Sequence, residues 1–269
     1  MINLKKIIII YTSTIVYMMF LNYYLEHLFS VDTYTYQGNI LIELLYIIFI
    51  LVCNHYIFKL RIRNNFSSNS ILDTLIYSIP IIIYIPIIIV MIISYKGPIE
   101  NVFFSSVLTM TVSFFEEYFF RGMLLGTLIF SKIPKNNNKF SVSYNVTLSL
   151  LISSAIFSLS HMTNLINNNN ITIILPQLIF TFSIGLVLGM QYIRSGNLVS
   201  SFLLHSVVDF PSFLYLSKTL QQSDIISRNI FDKKLLMVST IVFILCSTYV
   251  FIFINKQEES HYNLLIKQN

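Results

Sequence analysis

The sequence predicts an all-α polytopic membrane protein, a transmembrane helix bundle of about eight spans, and three observations carry that prediction. First, 55% of the 269 residues are hydrophobic and only 11% are charged, whereas a soluble domain carries about 25% charged residues; the mean hydropathy is +0.72. Second, mostly apolar windows of about 20 residues, the length that crosses a bilayer as a helix, recur along the whole chain. Third, runs such as Ile81–Ile82–Ile83 and Ile87–Ile88–Ile89 do not alternate in polarity, as the roughly 10-residue strands of a membrane barrel do.

The spans fall at 7–25, 38–58, 71–94, 102–130, 143–163, 171–193, 197–216 and 235–255. Lys5 and Lys6 precede the first run as in a signal peptide, but the run is too long for an h-region and no small-residue cleavage site follows, so it reads as a retained span. The third span stops at Gly97–Pro98, a pair that cannot continue a helix. The tracts Asn136–Asn138 and Asn167–Asn170 read as short loops, and the polar connection Ser217–Lys234 has room for an interfacial helix. The chain therefore divides into N-terminal spans (1–99), a core (100–216), and a polar loop with a last span (217–269). Cys53 and Cys246 lie in apolar windows and read as packing residues.

The formal net charge of +5 does not indicate nucleic-acid binding, because the cations sit between spans as topology determinants do. With the N-terminus inside, eleven of the 17 cations fall on the inner side and five on the outer, with Arg121 inside a span. This bias predicts cytoplasmic termini in a multi-pass cell-membrane protein; the four cations between spans seven and eight are its weak point.

A charged group at mid-bilayer costs roughly 2.5–3.5 kcal/mol on insertion scales, so intramembrane charges should face the protein interior. Glu116, Glu117 and Arg121 are in span four, His161 near the end of span five, and His205 and Asp209 in span seven. Glu117 and Arg121 are four apart and share a helical face, while Glu116 is turned about 100° away. His205 and Asp209 are also four apart, which lets the carboxylate reach the same site or orient the imidazole. Phe157 stands one turn before His161 and is placed to wall it. Gly122 with Gly126, and Gly185 with Gly189, give the Gly-x-x-x-Gly spacing of closely approaching helices.

Glu116–Glu117–Tyr118–Phe119–Phe120–Arg121 resembles the Glu-Glu-x-x-x-Arg motif of the CAAX-protease and bacteriocin-processing (CPBP, or Abi) intramembrane peptidases. Phe157–Ser158–Leu159–Ser160–His161 resembles their Phe-x-x-x-His motif, and His205–Ser206–Val207–Val208–Asp209 their His-x-x-x-Asn/Asp motif. The three occur in the family's order, and Arg194–Ser195–Gly196–Asn197–Leu198 leads into the third. The likeness covers roughly residues 100–212. The last motif ends in Asp209 where many members have Asn, which adds a negative charge.

The resemblance implies hydrolysis of a peptide bond within the membrane. Carried over by position, Glu116 is the first choice for general base, and Glu117 pairs with Arg121 or shares the site. His161 and His205 bind a metal such as Zn²⁺ or stabilise the oxyanion, with Glu116 or Asp209 as further ligand. The partners implied are the bilayer and a membrane-associated peptide or protein, with bacteriocin immunity and peptide processing as settings. The residues are compatible with this chemistry, since a carboxyl in a dry pocket exchanges protons near neutrality.

Plainer readings stand beside these. Glu117 and Arg121 serve equally well as a structural ion pair, and a lone histidine near a membrane interface is commonly structural. Asp73, Glu43 and His55 lie in other spans and read as non-catalytic. No HExxH, Walker or Rossmann pattern is present. Ser160 and Ser206 each precede a histidine, but neighbours on a helix diverge by about 100°, which disfavours a Ser–His pair. A non-catalytic scaffold or immunity protein of the same fold is the main alternative. A proton-coupled transporter would call for repeat symmetry, which is not visible. With neutral histidines, Glu116, Glu117 and Asp209 against Arg121 leave the cluster at −2, which a low-dielectric interior does not hold uncompensated. Protonated carboxyls or a divalent cation must balance it.

Overall fold

The computed structural model describes residues 4–29, 35–62, 75–132, 139–164, 171–214 and 225–255. Asp73, both asparagine tracts and residues 217–224 lie outside these. The described residues are mostly helical, with no strand among them. In chain order the helices are α1 (Leu4–Phe29), α2 (Tyr36–Cys53, continued by a π-helical turn Asn54–Phe58), α3 (Ile79–Ile82), α4 (Tyr84–Ser94) and α5 (Ile99–Glu117). A wide π-helical stretch, Tyr118–Leu125, links α5 to α6 (Gly126–Lys132). They are followed by α7 (Lys139–Ser160, closing in a 3₁₀ turn His161–Thr163), α8 (Ile171–Ser195), α9 (Leu198–Leu214) and α10 (Ile225–Asn255). The fold is an all-α membrane helix bundle. Among the described residues, four helical stretches can by length and composition cross a membrane: Tyr36–Phe58, Ser143–Thr163, Ile174–Ser195 and Leu236–Ile254.

Two expectations change. The fourth span is not a regular α-helix, because it widens into π-helix directly after Glu117. The segment from Ile225 belongs to one 31-residue helix that includes Lys233 and Lys234, so that part of the expected loop continues the last span. The break at Gly97–Pro98 is where expected: α4 ends at Ser94, Tyr95 is extended, and Pro98 caps α5.

The chain forms two compact units, Met1–Ile62 with Ile81–Thr127 and Phe202–Gln221, and Arg63–Pro80 with Leu128–Ser201 and Gln222–Asn269. In the first, α2 packs on α5. Tyr36 lies over Phe104 with ring centroids 6.2 Å apart, and Tyr46 over Phe115 at 5.6 Å. Rising numbers on both helices mean that they run parallel. Phe49 stacks on Tyr17 of α1 at 3.6 Å. The Tyr36 hydroxyl donates to the Phe213 carbonyl at 2.9 Å, tying the start of α2 to the end of α9.

In the second unit α8 is central, packed on α7 and α10. Its hydroxyl groups find acceptors along the helix, as Ser183 does on the Ile179 carbonyl at 2.6 Å. Such back-bonding removes a polar group from lipid at little structural cost. Ser158 of α7 donates across to the Leu178 carbonyl at 2.6 Å. Buried Arg194 lies over the Tyr77 ring, 4.9 Å from its centroid, and donates to the Phe253 carbonyl.

Gly185 shows why the small residue is needed. A Cβ there would stand 3.1 Å from Phe157 Cδ1 and 3.2 Å from Ser154 Cβ. We expect Gly185→Leu to overpack the α7–α8 contact and cost about 1–3 kcal/mol, seen as a lowered thermal midpoint in detergent. An unchanged midpoint would mean that these helices do not approach as described.

Candidate active site

Helices α5 and α9, with the π-helical stretch that follows α5, bring five of the six predicted site residues together in the first unit. Their register is set by apolar packing. Phe114 meets Phe202 edge-on at 6.0 Å, and one turn further on Glu117 meets His205. Tyr36 touches both Phe104 near the start of α5 and Phe213 at the end of α9, so these two helices run antiparallel.

Glu117 is fully buried, and its Oε1 is 2.8 Å from Arg121 Nη1 and 2.8 Å from His205 Nδ1. One carboxylate oxygen thus serves the guanidinium one turn along its own helix and the imidazole of the neighbouring helix. The other imidazole nitrogen, Nε2, is 3.3 Å from Asp209 Oδ2 and 3.5 Å from Glu116 Oε2. Glu116 and Asp209 retain 19% and 27% side-chain exposure, against 0% for Glu117 and 2% for Arg121. This difference separates the two glutamates. Glu116 and Asp209 stand on the more exposed side of the imidazole, while Glu117 and Arg121 stand on its buried side.

Both ring nitrogens of His205 face carboxylate oxygens. Two arrangements satisfy this geometry: an imidazolium that donates at both nitrogens, or a cation at Nε2 with Nδ1–H held by Glu117, the carboxylate–histidine–metal pattern. Glu116, His205 and Asp209 each offer a ligand atom, all within 4.8 Å of one another. One imidazole nitrogen and two carboxylate oxygens are a donor set that suits a divalent cation such as Zn²⁺.

His161 belongs to the second unit. It lies in the 3₁₀ turn that ends α7, with its ring perpendicular to that of Phe157 at 5.1 Å. Its Nδ1 is 3.0 Å from the Phe157 carbonyl. An N–H donated there makes Nε2 the acceptor nitrogen of the neutral ring. Ser160 Oγ is 3.5 Å from His161 Nδ1, nearer than the helix argument expects, but its hydroxyl donates to the same Phe157 carbonyl at 2.6 Å. Ser206 donates to the Leu203 carbonyl at 2.9 Å. Both hydroxyl groups are therefore engaged by backbone carbonyls.

Sequence reasoning set Glu43 aside as a non-catalytic residue of another span. In the structure it stands inside α2, one turn before Tyr46, on the face packed against α5. Its Oε2 is buried without a hydrogen-bond partner among the described residues, and it is near enough to Glu116 for the two carboxyl groups to interact electrostatically. The signal in the sequence was an acid within an apolar run. The spacing to Glu116 is invisible until α2 and α5 are laid side by side.

Residues 98–211 match the family model of the type II CAAX prenyl endopeptidase Rce1-like proteins. Over this segment the chain is similar to the CAAX-protease family. The matched segment contains all three motifs and all six candidate site residues. No curated protein and no solved structure matches the chain.

Proposed function

We propose that the chain is an intramembrane endopeptidase in which Glu116 activates water to hydrolyse a peptide bond of a membrane-associated peptide or protein. The observation that supports this reading is the division of labour around His205. Its Nδ1 is anchored by buried Glu117, and its Nε2 is turned toward the more exposed Glu116 and Asp209.

In the proposed reaction the water oxygen bonds to the scissile carbonyl carbon and its proton passes to the Glu116 carboxylate. The oxyanion is stabilised by an imidazole N–H donor, a role for His205. When the carbon–nitrogen bond breaks, the Glu116 carboxylic acid returns the proton to the departing amine. Arg121 and Glu117 hold His205 in orientation, and Asp209 keeps Nε2 directed at the site. Zn²⁺, if bound, would be held by His205 and Asp209 with Glu116 and would supply Lewis-acid polarisation and a more acidic water. A small peptide processed at the cell membrane, or neutralised in bacteriocin immunity, is the substrate class we favour. We place both termini in the cytoplasm.

The test is paired. Glu116→Ala and His205→Ala are expected to abolish cleavage of a co-expressed membrane peptide while both proteins still reach the membrane. Full cleavage by both variants would remove this site assignment. Loss of cleavage with an intact cellular phenotype would favour a non-catalytic scaffold or immunity role. Activity that survives exhaustive chelation, in protein shown free of metal, would eliminate Zn²⁺ and leave the glutamate and imidazole chemistry alone.

A further inference from the structure

At the end of α2 the chain makes a built turn that the catalytic reading does not use. Asn54, buried, accepts from the Leu60 amide at Oδ1 (2.9 Å) and donates from Nδ2 to the Leu60 carbonyl (3.1 Å) and the Tyr118 hydroxyl (2.9 Å). Lys59 takes a left-handed backbone conformation, φ 51°, and its amide donates to the Asn54 carbonyl at 2.7 Å. The turn is thereby held to α2 and to Tyr118. Beside it is an open cavity of about 530 Å³ lined by Asn54, His55, Lys59, Arg61 and Tyr118 among others. Its volume falls within the roughly 300–1,000 Å³ of small-molecule sites. Two cations, an imidazole, an amide and a phenol line it, and no carboxylate does among the described residues.

Position in the membrane decides which anion such a cavity meets. The apolar stretch Tyr36–Phe58 ends one residue before Lys59, so Lys59 and Arg61 stand where lipid phosphates lie. Tyr56 and Ile57, 70% and 66% exposed, flank them, as interfacial aromatic and aliphatic side chains do. A substrate terminus fits less well. Tyr118, the wall shared with the motif helix, is turned roughly 200° from Glu116, so the cavity is on the back of that helix.

We infer that the cavity beside Asn54, His55, Lys59, Arg61 and Tyr118 binds the phosphate of an anionic membrane lipid. Lys59 and Arg61 supply the charge, while the Asn54 clamp fixes the turn that presents them. This site is independent of the protease reading.

The test uses the whole chain in nanodiscs and in neutral detergent, titrated with phosphatidylglycerol or phosphatidylcholine and read by native mass spectrometry. The chain should prefer phosphatidylglycerol. At roughly 5-fold per interfacial cation, Lys59→Gln and Arg61→Gln should each weaken that binding by about that factor, and the double variant by roughly 30-fold. Lys96→Gln, an exposed cation beyond the other end of the spans, should leave it unchanged. Lys59→Arg should retain binding, which separates loss of charge from loss of the turn. The inference is overturned if the double variant binds phosphatidylglycerol like the parent. It is also overturned if inorganic phosphate binds but the lipid does not. A raised KM for peptide cleavage with lipid binding untouched would place the substrate's carboxylate there instead.

Discussion

Glu116→Gln is expected to lower the rate of peptide cleavage by roughly 10²–10⁴-fold, the usual contribution of a positioned general base, with no loss of fold. The two halves of this expectation have separate causes. The rate falls because an amide cannot accept the proton of the attacking water. The fold persists because Glu116 is part-exposed and His205 keeps two closer carboxylate partners, Glu117 at 2.8 Å and Asp209 at 3.3 Å. Glutamine keeps its shape and leaves the neighbouring carboxylates less repelled. The measurement is single-turnover cleavage by purified protein, with thermal unfolding as the control. Cleavage within about tenfold of the parent would move the base elsewhere, and Asp209, 27% exposed and 3.3 Å from the same nitrogen, would be the next residue to test.

Arg121→Met should instead cost the fold itself. Arg121 and Glu117 are 2.8 Å apart with almost no exposure, and removing one member of a buried pair costs roughly 3–5 kcal/mol because the other charge is stranded. The variant should express poorly and unfold at a clearly lower temperature. Replacing both residues, as Glu117→Leu with Arg121→Leu, should restore much of that stability, since well-packed apolar side chains replace buried pairs at little cost. The double variant should still lack activity, because His205 Nδ1 loses its 2.8 Å partner. Recovery of stability without activity separates the positioning role from a purely structural one. A double variant that cleaves normally would show that Glu117 only locks the bundle.

The charge balance changes once the side chains are placed. Counted from the sequence, three carboxylates and one guanidinium leave −2 with neutral imidazoles. The structure puts His205 among all three carboxylates, so one imidazolium or one cation at Nε2 compensates much of that excess. It also adds Glu43, buried near Glu116, as a fourth carboxyl. The count of charges in the spans was correct, but their grouping was incomplete, because an acid on α2 has no sequence relation to a motif more than 70 residues later.

Other elements divide in the same way. The sequence shows that Glu117 and Arg121 share a helical face, because four residues make about one turn, and that pair forms. It does not show the π-helical widening after Glu117, since residues of ordinary helix propensity carry no mark for it. The Gly185 spacing signals a close helix approach but not its partner, which is Ser154 and Phe157 of α7. Asn54 and Lys59 look like an ordinary span end, and only the folded turn makes a cavity of them.

By itself the sequence determined that the chain is a helical membrane protein, which segments are apolar, and which few charged residues must seek one another inside it. Lipid imposes this, because backbone polarity forces helices and intramembrane charge demands partners. Only the tertiary structure decided which glutamate is buried and which is part-exposed. It alone showed that one oxygen of Glu117 serves both Arg121 and His205, and that Glu43 approaches Glu116. These facts depend on the register between α2, α5 and α9. That register is set by aromatic packing between helices, and no spacing within a single segment encodes it.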